Sequence, residues 1–228
     1  MIIEFTGIPG SGKTTVAELF IHQFKNKKCV HRGTVDHLDP FRKMTGKFIF
    51  AIFCYIHSPS VSITVTKESL RLHKNKIEAM RDAFNILYQL TRYRKARKII
   101  SKSENNIVVF DQGLVQAFFS ICSHGGWSDE ILGIIKEQMG KNVHVDVNLE
   151  IAEKRLKIRK DQSSRSQKNG INIHHLEKEK KLLNKILVKL FDDKISYLRI
   201  DNNDQLFICK SKHILRWIEI NKQISFEE

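Results

Sequence analysis

Short, largely apolar runs alternate along this chain with longer stretches in which apolar residues return every three or four positions. Ile2-Ile3-Glu4-Phe5-Thr6, Ile107-Val108-Val109-Phe110-Asp111, Val143 to Asn148 and Ile195 to Ile200 are of the first kind, the pattern of strands covered on both faces of a parallel sheet. Cys29 to Asp36 is a weaker strand signal, broken by Gly33. Thr14 to Lys25 has the helical period, with Val16, Ala17, Leu19, Phe20 and Phe24 apolar. The same period predicts helices over Phe41 to His57, Leu114 to Cys122, Ser128 to Met139, Glu150 to Lys160, Leu176 to Phe191 and Ser211 to Ile220. Between Lys67 and Lys102 it predicts two helices that share a packing face of Leu70, Ile77, Met80, Phe84, Leu87, Leu90 and Tyr93. Val61 to Thr66 alternates like a strand but fits a loop or a helix start as well, and all three stay open. Strands alternating with helices predict an α/β fold: a five-stranded parallel sheet between helices.

Composition narrows the class. The 228 residues suit one domain, 1–228, and no internal repeat divides them. A formal net charge of +14 favours anionic partners: nucleotides, nucleic acid or an acidic membrane surface. Much of that charge falls between Lys67 and Lys102, where a solvated helix face is the plainer reading. Cys29, Cys54, Cys122 and Cys209 form no C-x-x-C pair, which argues against a zinc site and a secreted disulfide framework. The first strand begins at once, without room for an export signal, so a cytoplasmic protein is expected. Phe48 to Ile56 is about half the roughly 20 apolar residues that a membrane span needs. It reads as a core helix, with an interfacial segment as the alternative.

The candidate chemistry starts at Gly7-Ile8-Pro9-Gly10-Ser11-Gly12-Lys13-Thr14, which matches G-x-x-x-x-G-K-[S/T] at each fixed position and lies between a strand and a helix. Glycines let successive N–H groups turn inward, and the helix start adds positive charge, so the hollow suits a polyphosphate. Lys13 then reaches the β- and γ-phosphates, the Thr14 hydroxyl becomes a magnesium ligand, and Pro9, Ser11 and Thr15 flank them. Asp111, at the end of the clearest buried strand, is the second metal candidate; the alternative is a helix cap. Asp39, before Pro40, is a candidate for chemistry or, equally, the cap of the next helix. Arg155 and Arg159 lie one turn apart and precede the polar stretch Asp161 to Gly170, as on a lid whose guanidinium groups stabilise a moving phosphoryl group. His124, alone between helices, is assigned no role.

Taken together, FTGIPGSGKTT, LDP, Arg92 before IVVFDQG, and VHVDVNLEIAEKRLKIRKDQSSR resemble the P-loop nucleotide and deoxynucleoside kinases, with thymidylate kinase the nearest pattern. The resemblance spans most of the chain and implies a three-layer P-loop kinase fold with a helical lid at about 155–172. It implies ATP and Mg²⁺ as cofactors and a small-molecule acceptor. It also implies Asp39 beside the acceptor, Arg92 and Gln112 on the acceptor side, Arg155, Arg159 and Arg165 around the transferred group, and Asn202 and Asn203 near the adenine. Where the family usually reads Asp-Arg, this chain has Asp111-Gln112, which shifts the expectation toward a less charged acceptor. The expected activity is transfer of the γ-phosphoryl of ATP to a hydroxyl or phosphate acceptor. A P-loop NTPase that drives a partner, and a nucleic-acid-binding protein or polynucleotide-end kinase using residues 67–102, are the alternatives. A homodimer is left open, and no membrane span is expected.

Overall fold

The computed structural model describes residues 1–24, 30–32, 40–103, 106–158, 172–191, 197–203, 212–214 and 216–220, with 24, 30–32 and 40–47 described by backbone alone. Among them the strands are β1 (Ile2–Thr6), β2 (Val30–Arg32), β3 (Ile107–Phe110), β4 (Lys141–Asp146) and β5 (Tyr197–Asp201). The helices are α1 (Lys13–Phe24), α2 (Pro40–His57), α3 (Pro59–Leu72), α4 (Lys76–Ile100), α5 (Leu114–His124), α6 (Asp129–Gln138), α7 (Leu149–Ile158) and α8 (Ile173–Leu190). All five strands form one parallel sheet in the order β2-β3-β1-β4-β5.

The side-chain period of two splits the core into two apolar layers. Ile3 and Phe5 of β1 and Val143 and Val145 of β4 meet Val16, Ala17 and Phe20 of α1, together with Ile214, Trp217 and Ile218. Ile2, Val108 and Phe110 face the other way, under α4, α5 and α8, where Leu87, Tyr93, Phe118 and Leu187 close over them. The three-layer α/β expectation therefore stands. Because β1 lies between β3 and β4, the chain reverses direction of progress across the sheet at β1. The crevice at its carboxyl end is where open sheets of this kind bind ligands.

Three expectations change. Val61 to Thr66 is helical: Pro59 opens α3, a position where its missing N–H costs nothing, and Ser62 and Val65 point into the core. On α4 the inward stripe is Ala79, Ala83, Ile86, Leu87, Leu90 and Tyr93. Ile77, placed on the packing face by sequence, is 81 % exposed. The small alanines, which let neighbouring helices approach, were the residues that hydrophobic counting passed over. Finally, 48–56 is not a core helix: Ala51 and Cys54 are buried, whereas Phe48, Ile49, Ile52, Phe53 and Ile56 are exposed. Over 48–57 helix α2 packs its Ala51 and Cys54 side, next to α3 and α4, so among the described residues its other face is left outside. Of the cysteines, Cys54 and Cys122 are free thiols; Cys29 and Cys209 lie outside the described residues.

Candidate active site

At Thr6 the strand ends and the backbone folds back, the Ser11 N–H donating to the Ile8 carbonyl at 3.1 Å and the Val16 N–H to Gly12 at 3.0 Å. Gly10 and Gly12 have φ of 80° and 81°, the left-handed region that side chains disfavour. Space excludes a side chain as well. A Cβ on Gly10 would stand 2.5 Å from the Ala152 carbonyl, and one on Gly12 would stand 2.6 Å from Asn202 Nδ2. The loop is thus pressed between α7 and the end of β5. Asn202 Nδ2 donates to the Ser11 carbonyl at 2.6 Å, and Arg155 Nη2 donates to the Asn202 carbonyl at 3.0 Å. A loop held from behind by its own protein keeps its curled shape before any ligand arrives, and its front face, with Lys13, Thr14 and Thr15, opens onto the cleft. That geometry fits a phosphate cradle.

Neighbouring strands bring the acid to it. Glu4 of β1 pairs with Phe110 of β3, so Asp111 emerges one residue beyond the strand, level with Phe5 and two residues short of Gly7. Thr14 and Asp111 together supply the hard oxygen donors that suit magnesium. Asn202, expected near an adenine, is instead buried beneath the loop. Asn203 is exposed and accepts from the Asn148 N–H at 2.6 Å, tying the end of β5 to the loop before α7. Asp39, Arg159, Arg165 and nearly all of the lid segment 155–172 lie outside the described residues.

The acceptor side differs more from expectation. Arg92 does not line the cleft: it is buried, with its guanidinium 4.7 Å from the Phe110 ring centre and 5.3 Å from that of Tyr88. Its Nη1 donates to Gln89 Oε1 at 2.8 Å and to the Gln112 carbonyl at 3.3 Å. Stacking between two rings leaves the cation its hydrogen bonds but not the cleft, so Arg92 braces the two glutamines that do line it. The cleft, about 1610 Å³, runs from the glycine loop along the groove between α4 and α5.

Two groups were missed. Glu4 is fully buried and accepts from Tyr93 Oη at 2.6 Å and from the backbone N–H of Gly113, Val115 and Gln116 at 3.1, 3.3 and 3.1 Å. Burial raises its pKa, and these four donors oppose the rise. The signal was available: a lone carboxylate inside an otherwise buried strand needs donors waiting for it. The second group is Asp82 with His73 and His124, at the far end of the groove. Nothing in the sequence spacing announces it, because the three come from one helix, the loop before it and the end of another.

No family model matches this sequence, and no curated protein does. Solved structures do match. Thymidylate kinase from Candida albicans aligns over 97 % of this chain and 92 % of its own, with a TM-score of 0.51 and 13 % identity. Deoxyadenosine kinase from M. mycoides, solved with bound dATP, aligns over 95 % and 100 %, with a TM-score of 0.50 and 17 % identity. The fold is that of the nucleoside and nucleotide kinases. The Bacillus subtilis YorR protein, in complex with phosphorylated GDP, matches this kinase fold equally, over 98 % of both chains with a TM-score of 0.51 and 12 % identity. In the kinase fold found here, the braced glycine loop opens onto the crevice at the carboxyl end of β1, where the sheet topology puts a ligand; Asp111, at the end of β3, is not among the residues that line it.

Proposed function

We propose that this protein is an ATP-dependent small-molecule kinase, cytoplasmic, with the whole chain as its catalytic domain. The observation that carries the reading is the glycine loop, held in its curled form by Asn202 and Arg155 and opening at Lys13 onto a cleft walled by Gln89, Gln112 and Gln116. Phosphoryl transfer asks a protein mainly to position two substrates and to stabilise charge, and these residues supply both. Gly7, Pro9, Gly10, Ser11 and Gly12 turn their backbone toward the triphosphate, with Thr15 beside Thr14 on the face toward the cleft, and Lys13 places its ammonium on the β- and γ-phosphates. Thr14 and Asp111 would hold magnesium, which neutralises phosphate charge when bound. Asp39 accepts the proton as the acceptor oxygen bonds to the γ-phosphorus and the bond to ADP breaks. Arg155 stands at the rim of the loop, and the role we assign to Arg159 and Arg165 is to stabilise the charge of the transferred group. Asn203 borders the base. Gln112, with Gln89 fixed by Arg92, orients the reacting end of the acceptor through neutral amides, which suits a hydroxyl there better than a phosphate.

An acceptor screen with labelled ATP across nucleosides, nucleotides, sugars and oligonucleotide ends tests this, with Lys13→Ala as control. At least one acceptor is expected to be phosphorylated, and the variant should be slower by a hundredfold or more. Phosphate release indifferent to every acceptor would instead support a nucleotide hydrolase and overturn the assignment.

A further inference from the structure

The groove between α4 and α5 changes character along its length. At its near end the phosphate cradle contributes Lys13 and Arg155, while the walls from α4 and α5 beside it present the neutral amides Gln89, Gln112 and Gln116. From Leu114 to His124, helix α5 rises about 15 Å, at 1.5 Å per residue, and at that far end the lining is Lys76, Arg81, Asp82 and His124.

The one acid there is already committed. Asp82, with a side chain 1 % exposed, lies 3.3 Å from His73 Nε2, 3.6 Å from His124 Nδ1 and 3.7 Å from Arg81 Nε. His73 Nδ1 stands 2.9 Å from the Ser69 carbonyl and its Nε2 faces Asp82, so the carboxylate is enclosed by two imidazoles and a guanidinium of its own protein. What remains toward the groove is cationic: Lys76 is exposed, and Arg81 is half-exposed, its second acidic contact being Glu78 at 3.9 Å. Lys74, exposed in the turn before α4, continues the same charge outward.

We propose that the acceptor offers its hydroxyl at the Gln89–Gln112 end and carries a phosphate group at its other end, seated between Lys76 and Arg81. A guanidinium fork and an ammonium are the side chains that recognise phosphate oxygens, and a neutral reacting end with a charged far end matches the gradient along the groove. This rests on the kinase reading.

The test uses the full chain and matched acceptor pairs that differ by a remote phosphate: a nucleoside with its 3′-monophosphate, a nucleoside with a 5′-hydroxyl dinucleotide, and a sugar with its phosphate ester. The phosphate-bearing member of at least one pair should have a KM tenfold lower or better, with kcat little changed. The pair that responds separates a nucleotide source from a sugar source. Lys76→Ala with Arg81→Ala should bring the ratio of kcat/KM within that pair toward one, and Arg81→Lys should keep most of it. Both positions are on the surface, so the fold should survive, which a thermal melt checks. If nucleosides or sugars are phosphorylated but no remote phosphate improves KM, or if the preference survives the double variant, this proposal falls and the kinase reading stands. If magnesium-ATP binds and no acceptor at all is phosphorylated, both fall.

Discussion

His144 is an imidazole in the wrong place by ordinary rules: 2 % exposed on β4, with neither ring nitrogen hydrogen-bonded among the described residues. Burial pushes its pKa down to about 4; Asp146 pulls the other way, while Arg199, Lys180 and Lys13 add to the depression. The sign follows from proton counting. Between pH 6.5 and 4 the unfolded chain takes up a proton that the folded chain refuses, so stability falls as pH falls through that window, by about 3 kcal/mol at its lower end. Nearby Asp146 behaves differently. Burial would raise its pKa, but hydrogen bonds from Lys180, Arg199 and the Val147 N–H outweigh it and hold the carboxyl at about 2. Its contribution, about 1 kcal/mol after solvent screening of the half-exposed Arg199, is intact above pH 4 and is lost only below. Thermal melts from pH 7.5 to 4 should therefore show a steady loss in the natural protein and a nearly flat profile in His144→Phe. An equally steep profile in the variant would show that His144 is not the group responsible.

At the scale of elements, the fold around the cleft depends on how helices are begun. Helix α6 is capped by Ser128, whose hydroxyl accepts from the Ile131 N–H at 3.3 Å, and α4 by Asn75, which accepts from the Ile77 N–H at 2.9 Å. The helix start at Ser128 was visible as sequence, whereas Asn75 lay unmarked within the stretch from Lys67 to Lys102. Helix α5 has no such residue, since Gly113 stands at its cap. Its cap is the carboxylate of Glu4, 109 residues away in sequence from Gly113. Gly113 is glycine because a Cβ there would lie 2.5 Å from the Glu4 carboxyl and 2.7 Å from Tyr93 Oη. Glu4→Ala strands three backbone donors and a phenol in the interior, so a loss of about 2–4 kcal/mol is expected in urea unfolding. Gly113→Ala should lose a comparable amount, and a loss under about 0.5 kcal/mol in either would show that Glu4 does not cap α5. The same distance in sequence explains why Gln112 was read as an isolated departure: only packing shows its carbonyl held by Arg92 and the residue after it held by Glu4.

For the whole molecule, a loop held ready without ligand implies that nucleotide binds the folded state without rebuilding it. Magnesium-ATP at a hundred times its Kd should then stabilise the chain by about 2.7 kcal/mol, a rise of about 5–10 °C in Tm for a protein of this size. Lys13→Ala should shrink the rise. An unchanged Tm at saturating nucleotide would mean that the glycine loop does not take a polyphosphate.

The sequence determined by itself what depends on neighbours along the chain: the strand, glycine loop and helix at the N-terminus, the acid ending β3, and the alternation that makes a parallel sheet between helices. Those follow from backbone freedom at glycine and from side-chain periodicity. Only the tertiary structure decided which groups share a surface. It turned Arg92 from the cleft to the wall behind it, drew Asn202 under the loop, left one face of α2 outside, and joined Glu4 to α5 and Asp82 to two histidines. The reason is that burial and hydrogen bonding act across space, between residues dozens of positions apart, and the periodicity of one segment carries no record of what its neighbour in the fold presents.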